Sequence, residues 1–352
     1  MRLPKPNKIL AEKYVTGLSK FRNKEAKVKL SANESALGPS PKAIKEYLRL
    51  SKNFKRYPDS EGISLRKTIA KKFKLDLNRI ILGSGSDQIL ELICKAFLRK
   101  GDEVIVPKYS FLIYRLYSQM NGAKVLYSKE KNFTISVDEI LKMVTKKTKI
   151  VFLANPNNPT STYVDKKKLL FLRKKLRSNI LLVVDDAYFE YVKQKDYSSG
   201  LQLFSNFKNV IVTRTFSKIY GLAGLRVGWG YGSKEIINSL NQYKPPFNVN
   251  SSALSTAEAA IKDNVWLNKE IKHVKKWNDK FFKEFEKLNI ETNKSFTNFL
   301  LINFDKVKKN SSIIFRLLAD AGILVRKMDN YGIKNSLRVT IGKNEENKKL
   351  IL

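Results

Sequence analysis

A few residues in the middle of the chain can do chemistry that the rest of the composition cannot. Lys218 ends Thr215-Phe216-Ser217-Lys218, just after the apolar run Val210-Ile211-Val212. A partly desolvated lysine beside a cationic ring has a lowered pKa and becomes a competent imine-forming nucleophile. In a chain this rich in lysine, one lysine means nothing without its setting. Asp185 ends a second apolar run, Leu181-Leu182-Val183-Val184, where an unpaired carboxylate is costly. It needs a cationic partner. A protonated pyridine nitrogen is one; a helix N-cap or a structural ion pair are the plain alternatives. Tyr188 follows three residues on, on the same side of an emerging turn, within reach of a phenolate oxygen.

Gly83-Ser84-Gly85-Ser86-Asp87 opens an amphipathic stretch with Ile89, Leu90, Leu92, Ile93, Ala96 and Phe97 on its apolar side. Glycines permit close backbone approach, and the unpaired N–H groups and dipole of a helix start favour an anion. The segment lacks the third glycine of a dinucleotide fingerprint and the Gly-Lys-Ser/Thr of a P-loop. Alone, it reads equally well as a Ser/Asp helix cap. Arg226, eight residues after Lys218 and beyond Gly221-Leu222-Ala223-Gly224-Leu225, can close on a phosphate through its bidentate fork. Lysine, ring-nitrogen carboxylate and phosphate cradle together are what pyridoxal 5'-phosphate (PLP) demands of a protein.

These residues need a scaffold that brings them to one place. Strands are expected over 79–82, 103–106, 124–127, 149–154, 180–184, 209–213 and 226–229, with helices between them, for example 88–98 and 166–176. Continuous apolar strands separated by helices predict an α/β fold, a largely parallel sheet covered on both faces. Four of the strands run into polar clusters at their C-terminal ends: Gly83 to Asp87, Asn155-Pro156-Asn157-Asn158-Pro159-Thr160, Asp185-Asp186-Ala187-Tyr188, and Thr213 to Lys218. That edge is where open α/β sheets bind ligands, so the four clusters read as one site. From about residue 250 the pattern changes to a long helix, 252–288, and a shorter strand-and-helix region. The expected organisation is an N-terminal arm over 1–40, a large domain over 41–250 and a small C-terminal α/β domain over 251–352.

Composition narrows the function further. The 352 residues hold one cysteine, Cys94, and one histidine, His273. No intrachain disulfide is possible, no zinc site of the usual ligand types can be built, and a reducing compartment fits. His273 stands in a Lys-rich, helical-looking stretch and is expected at the surface. No apolar run is long enough to span a bilayer. The start, Met1 to Asn7, has neither an apolar core nor a small-residue cleavage site, so a cytoplasmic location is expected. The net charge of +36 raises nucleic acid or an anionic membrane as partners. The lysines are spread along the whole chain, with no basic arm and no aromatic RNA-binding signature, so neither partner is expected. A field that concentrates small phosphorylated or carboxylated substrates is the milder consequence.

The ordered set of motifs resembles the class I and II, fold-type I PLP aminotransferases, and within them the histidinol-phosphate aminotransferase family. The resemblance spans almost the whole chain. It rests on Lys29-Leu30-Ser31-Ala32-Asn33-Glu34 through Pro41, on Arg56-Tyr57-Pro58-Asp59, and on the Asn-Pro-Thr segment. The Asp185/Tyr188 pair, Ser217-Lys218 with Arg226, and Leu337-Arg338-Val339-Thr340-Ile341-Gly342 complete it. It implies that Lys218 holds the cofactor covalently and later shuttles a proton, and that Asp185 pairs with the pyridinium nitrogen. Tyr188 and Asn158 are implied at the ring oxygen, and Tyr109 on the ring face. Gly85, Ser86 and Asp87 are implied around the phosphate or ring, with Ser217 and Arg226 on the phosphate. Tyr57 matches a tyrosine that the neighbouring subunit contributes, which implies a homodimer. Arg338 matches the arginine that grips a donor carboxylate, and Arg326 and Tyr14 match positions at the distal anionic group.

Two positions depart from the family pattern: Ser161 stands where glycine is usual, and Asp186 where glutamate is usual. The implied reaction is transamination between L-histidinol phosphate and 2-oxoglutarate, as in histidine biosynthesis. Aminotransferases of aromatic or other amino acids and the threonine-phosphate decarboxylase share the same motifs. From a different class, a basic nucleic-acid-binding protein that retains the fold would have no need of Lys218, Asp185 and Arg226 together.

Overall fold

The computed structural model describes residues 14–50 and 55–351. The segment Met1 to Asn7, read above for targeting, lies outside them. The seven expected strands form one sheet: β1 (Ile80–Gly83), β2 (Glu103–Pro107), β3 (Lys124–Ser128), β4 (Thr148–Ala154), β5 (Leu181–Asp185), β6 (Val210–Thr215) and β7 (Gly228–Tyr231). Their order is β1-β7-β6-β5-β4-β2-β3. β7 runs antiparallel to both neighbours, β6 and β1, and the other pairs are parallel. The expectation of a mostly parallel sheet holds.

Period-two alternation sorts the strand residues to two faces. Ile105, Val151, Leu153, Leu182, Val184, Val210 and Val212 face one apolar cluster, and Val104, Ile150, Phe152, Leu181, Val183 and Ile211 face the other. Helix α1 (Pro41–Leu50) and helix α2 (Ile63–Phe73) lie on the first side. Helix α3 (Gly85–Phe97) and helix α4 (Leu112–Met120) lie on the second. Because both faces are covered, the polar residues at the strand ends have only the sheet edge left to occupy.

The single helix expected over 252–288 is two: α5 (Ser251–Lys262) and α6 (Asn264–Lys287). Asp263 leaves helical geometry and its carboxylate accepts from the Trp266 N–H, a cap that starts the second helix as the first ends. The two halves also serve different cores. Ala253, Leu254, Ala257 and Ala260 of α5 join the large-sheet cluster. Val274, Trp277, Phe281 and Phe285 of α6 cover a smaller, four-stranded sheet. That sheet holds β8 (Glu291–Thr292), β9 (Phe299–Asn303), β10 (Arg326–Lys327) and β11 (Ser336–Thr340), in the order β8-β9-β11-β10. His273, expected at the surface, is half-buried on α6 with its Nε2 2.9 Å from the Gly342 carbonyl.

Ser161 sits fully buried at φ +59°, in the left-handed region, and its Oγ has no hydrogen-bond partner among the described residues. The loop is pinned there: Ser161 N donates to Asn157 O at 2.9 Å and Ser161 O accepts from Phe296 N at 3.0 Å. A side chain in this conformation costs roughly 1 kcal/mol, and a buried hydroxyl with no partner adds to it. Ser161→Gly is therefore expected to stabilise the protein by roughly 1 kcal/mol. Chemical denaturation checks this, and a lower unfolding midpoint for the variant would count against the strain.

Candidate active site

The four polar clusters meet in one cavity of about 250 Å³ at the C-terminal ends of β1, β4, β5 and β6. Ser86, Asp87, Asn158, Asp185, Tyr188, Ser217, Lys218 and Arg226 line it. The small sheet and the N-terminal stretch supply the remaining wall through Arg326, Arg338, Tyr14 and Asn33.

Parallel pairing puts Asp185 at the end of a central strand, beside Ala154 of β4 and Thr213 of β6. Its Oδ2 accepts from the Tyr114 hydroxyl at 2.7 Å and its Oδ1 from the Ala187 N–H at 3.1 Å. Both donors are neutral. Burial pushes this carboxyl up to about 6, with the Tyr114 hydrogen bond opposing. Among the described residues no cation pairs with an aspartate so placed.

Lys218 follows β6 on the cavity wall, its Nζ 3.4 Å from the Ala32 carbonyl. Burial and then the Arg338 guanidinium bring its ammonium down to about 8, against Asp87 and Glu34. The free amine is thus accessible near neutral pH, as a carbonyl-attacking lysine requires.

The anion cradle forms where α3 begins. Arg226, itself at φ +54°, donates from Nη1 to Ser217 Oγ and to Ala223 O, each at 3.0 Å. Its Nη2 is 3.5 Å from Asp87 Oδ2. Gly85 is at φ +79°, and a Cβ there would run into the Arg226 guanidinium. Only glycine lets the guanidinium close over the helix start. Backbone N–H groups, Ser86, Ser217 and Arg226 then converge as a phosphate would need. With the cation-seeking Asp185 and the amine of Lys218, the residues fit PLP.

Arg326 and Arg338 stand directly opposite each other on β10 and β11 and are almost wholly buried, at 6% and 4% exposure. Like charges so paired are unfavourable by themselves. Arg338 Nη1 donates to Asn158 Oδ1 at 2.6 Å and its Nη2 to Ser31 O at 3.2 Å. Arg326 Nη2 donates to Val15 O at 2.6 Å, with its guanidinium carbon 5.9 Å from the Tyr14 ring. Among the described residues no carboxylate answers either arginine, which leaves the wall strongly anion-seeking.

Three expected residues are outside the lining: Gly85, which stands behind Arg226, and two that lie elsewhere. Tyr109 is not in the lining: its N–H is bound by Glu130 and its carbonyl by Asn157 Nδ2, each at 2.7 Å, and its ring packs toward Phe133. Phe111, two residues on, lines the cavity instead. Tyr57 is outside too, 82% exposed and stacked on Phe247 at 4.7 Å. Sequence reasoning missed Tyr114 and Phe111 because tyrosine and phenylalanine in an amphipathic segment read as core. Asn33 belongs to the N-terminal motif of the resemblance, which implies no role for it. Asp186, one residue past the site carboxylate, pairs with buried Arg214 at 3.4 Å.

Comparison with known proteins agrees with this geometry. The model of the family described as aminotransferase class I and II matches residues 25–351. A histidinol-phosphate aminotransferase of Pelagibacter ubique is 53% identical over 352 residues, covering 100% of this chain and 98% of its own length. One of Rhodopseudomonas palustris is 41% identical over 351 residues, covering 99% and 96%. In fold, the chain is similar to the crystal structure of histidinol-phosphate aminotransferase from Sinorhizobium meliloti in complex with PLP. The TM-score is 0.86 at 22% identity, covering 93% of this chain and 89% of that one. Matched by the family model almost end to end and by full-length relatives, the chain belongs to the class I and II PLP-dependent aminotransferases, within the histidinol-phosphate aminotransferase family.

Proposed function

We propose that this enzyme transfers the amino group between L-histidinol phosphate and 2-oxoglutarate, in the cytoplasm, as a step of histidine biosynthesis. The observation that carries the substrate reading is the Arg326/Arg338 pair: two buried guanidiniums opposite one another, with no carboxylate among the described residues to answer them. Such a wall selects substrates with a strongly anionic group, which histidinol phosphate and glutamate both have. The names of the 53% and 41% identical relatives point the same way.

PLP, when bound, supplies the electron sink that makes an amino acid's Cα–H acidic. The chain's own residues do the rest. Lys218 anchors the cofactor and, once released, moves the proton between substrate Cα and cofactor. Asp185, oriented by Tyr114 and the Ala187 N–H, keeps the ring nitrogen protonated. Gly85, Ser86, Asp87, Ser217 and Arg226 hold the phosphate end. Tyr188 and Asn158 address the ring oxygen; with Asn158 Oδ1 already taken by Arg338, what it offers is its N–H group. The resemblance gives the ring face to Tyr109; Phe111, which lines the cavity, would add to that wall. Arg338 grips the donor carboxylate, and Arg326 with Tyr14 the distal anion. The exposed Tyr57 suits a residue that completes the site of a second copy in a homodimer. We divide the large and small units at Asp263 rather than at 250, because α5 packs on the large sheet.

A half-reaction screen tests this reading. Histidinol phosphate and glutamate are each expected to discharge the absorbance of bound PLP at micromolar to millimolar concentrations, the usual range of KM. Discharge by phenylalanine but not by histidinol phosphate would assign the enzyme to aromatic amino acids instead.

A further inference from the structure

Asn33 is buried at 1% exposure, lines the cavity and adopts φ +55°, a conformation asparagine tolerates better than most residues. Its hydrogen bonds fix which way its amide faces. Asn33 N donates to Thr340 Oγ1 at 2.9 Å, so the threonine's own proton goes elsewhere: to Asn33 Oδ1, 3.2 Å away. With Oδ1 occupied as acceptor, Nδ2 must be the group 3.1 Å from the Tyr188 hydroxyl oxygen. Asn298 Nδ2 donates to the Asn33 carbonyl at 3.1 Å and holds the backbone in place. Phe299 packs edge-on to the Tyr188 ring at 5.3 Å, leaving that ring little freedom to turn.

An amide N–H pointed at a phenol oxygen has a definite consequence. The oxygen accepts from Asn33, so the phenol proton is directed away from Asn33 and toward the cavity. Thr340 lies two residues after Arg338 on β11, hence on the same face of that strand. One strand therefore presents the Arg338 guanidinium and, through Thr340 and Asn33, sets the direction of the Tyr188 hydroxyl.

We propose that Asn33 is a positioning residue that makes Tyr188 a hydrogen-bond donor to the ring oxygen of PLP. This rests on the reading above that Tyr188 addresses that oxygen. A donor there favours the ionised ring oxygen, so its loss raises the pH at which the resting holoenzyme changes its visible absorbance.

The test is a double-mutant cycle read by that pH titration. Asn33→Asp keeps the shape and reverses the polarity, since a carboxylate can only accept and draws the Tyr188 proton to itself. Asn33→Gly removes the amide and retains a residue at ease with φ +55°, which guards against a folding defect. Both variants are expected to raise the titration midpoint, Asn33→Asp by about one unit. In a Tyr188→Phe background Asn33→Gly should not move it further, and Asn33→Asp should move it less than in the presence of the Tyr188 hydroxyl, by the charge of its carboxylate alone. An unchanged midpoint in both Asn33 variants, or an equal shift with and without the Tyr188 hydroxyl, overturns the proposal. If Tyr188→Phe alone leaves the midpoint where it was, the reading of Tyr188 fails and takes the proposal with it. A shift in Tyr188→Phe with none in the Asn33 variants overturns the proposal alone.

Discussion

Lys218→Ala is expected to abolish transamination while leaving the protein folded. The proposed function gives the lysine two tasks, anchoring the cofactor and moving the proton at substrate Cα, and among the described residues no other lysine lines the cavity. Loss of general acid–base catalysis alone removes up to about 10⁴-fold in rate, and loss of the covalent anchor adds to it. Stability should not suffer. The Nζ makes one long contact, 3.4 Å to the Ala32 carbonyl, and burial already disfavours its ammonium form. Steady-state assays with glutamate and circular-dichroism melts check the two halves of this expectation. Wild-type-like turnover in a folded variant would refute the assignment of the site.

Asp185→Asn is expected to lower kcat by roughly 10²–10³-fold. Removing one member of a buried charge pair costs about 3–5 kcal/mol, and each 1.4 kcal/mol is a factor of ten. The same change should stabilise the protein stripped of cofactor. Buried with no cation beside it among the described residues, the Asp185 carboxyl is pushed up to about 6 in the fold, above its ordinary value near 4. The protonated form is therefore the better tolerated one. Asp185 supports the fold fully below about pH 4 and ceases to do so as pH rises through about 6. At pH 7 the cofactor-free variant should melt above the cofactor-free wild type, and the gap should close toward pH 4. With PLP bound the order should reverse. A variant that melts lower than wild type without cofactor at pH 7 would mean that the carboxylate has a cationic partner in the fold itself.

The scaffold was legible because its signal is strong and local. Runs such as Val151-Phe152-Leu153-Ala154 and Leu181-Leu182-Val183-Val184 are apolar on both faces, which only a sheet covered on both sides explains. The same runs stop at polar residues, so the active edge could be read with them. The break in the long helix was not legible, because Lys262-Asp263-Asn264 interrupts neither the polarity nor the spacing of a solvated face. What divides it is the Asp263 cap and the allegiance of the two halves to different cores, both tertiary facts. Tyr114 and Phe111 were hidden for the opposite reason: an aromatic residue on an amphipathic segment is core by default, and only the fold turns these toward the cavity. The opposition of Arg326 and Arg338 was equally out of reach, since strand register is not written in two arginines twelve residues apart.

Ser161 and Asp186, the departures from the family pattern, have visible consequences. Ser161 holds a glycine-like conformation with a buried hydroxyl that has no partner among the described residues. Asp186 reaches Arg214 at 3.4 Å, and the guanidinium carbon lies 3.5 Å from the centre of the Phe189 ring. Neither residue lines the cavity.

Lys218 remains the residue on which the account turns, and borohydride reduction tests it most directly. Borohydride converts a lysine–cofactor link into a stable secondary amine, which survives digestion and can be located by peptide mass spectrometry. The holoenzyme should lose its visible absorbance on reduction and yield one pyridoxyl-modified peptide, with the label on Lys218. A label on any other lysine, or none in a protein that binds PLP, would contradict the account.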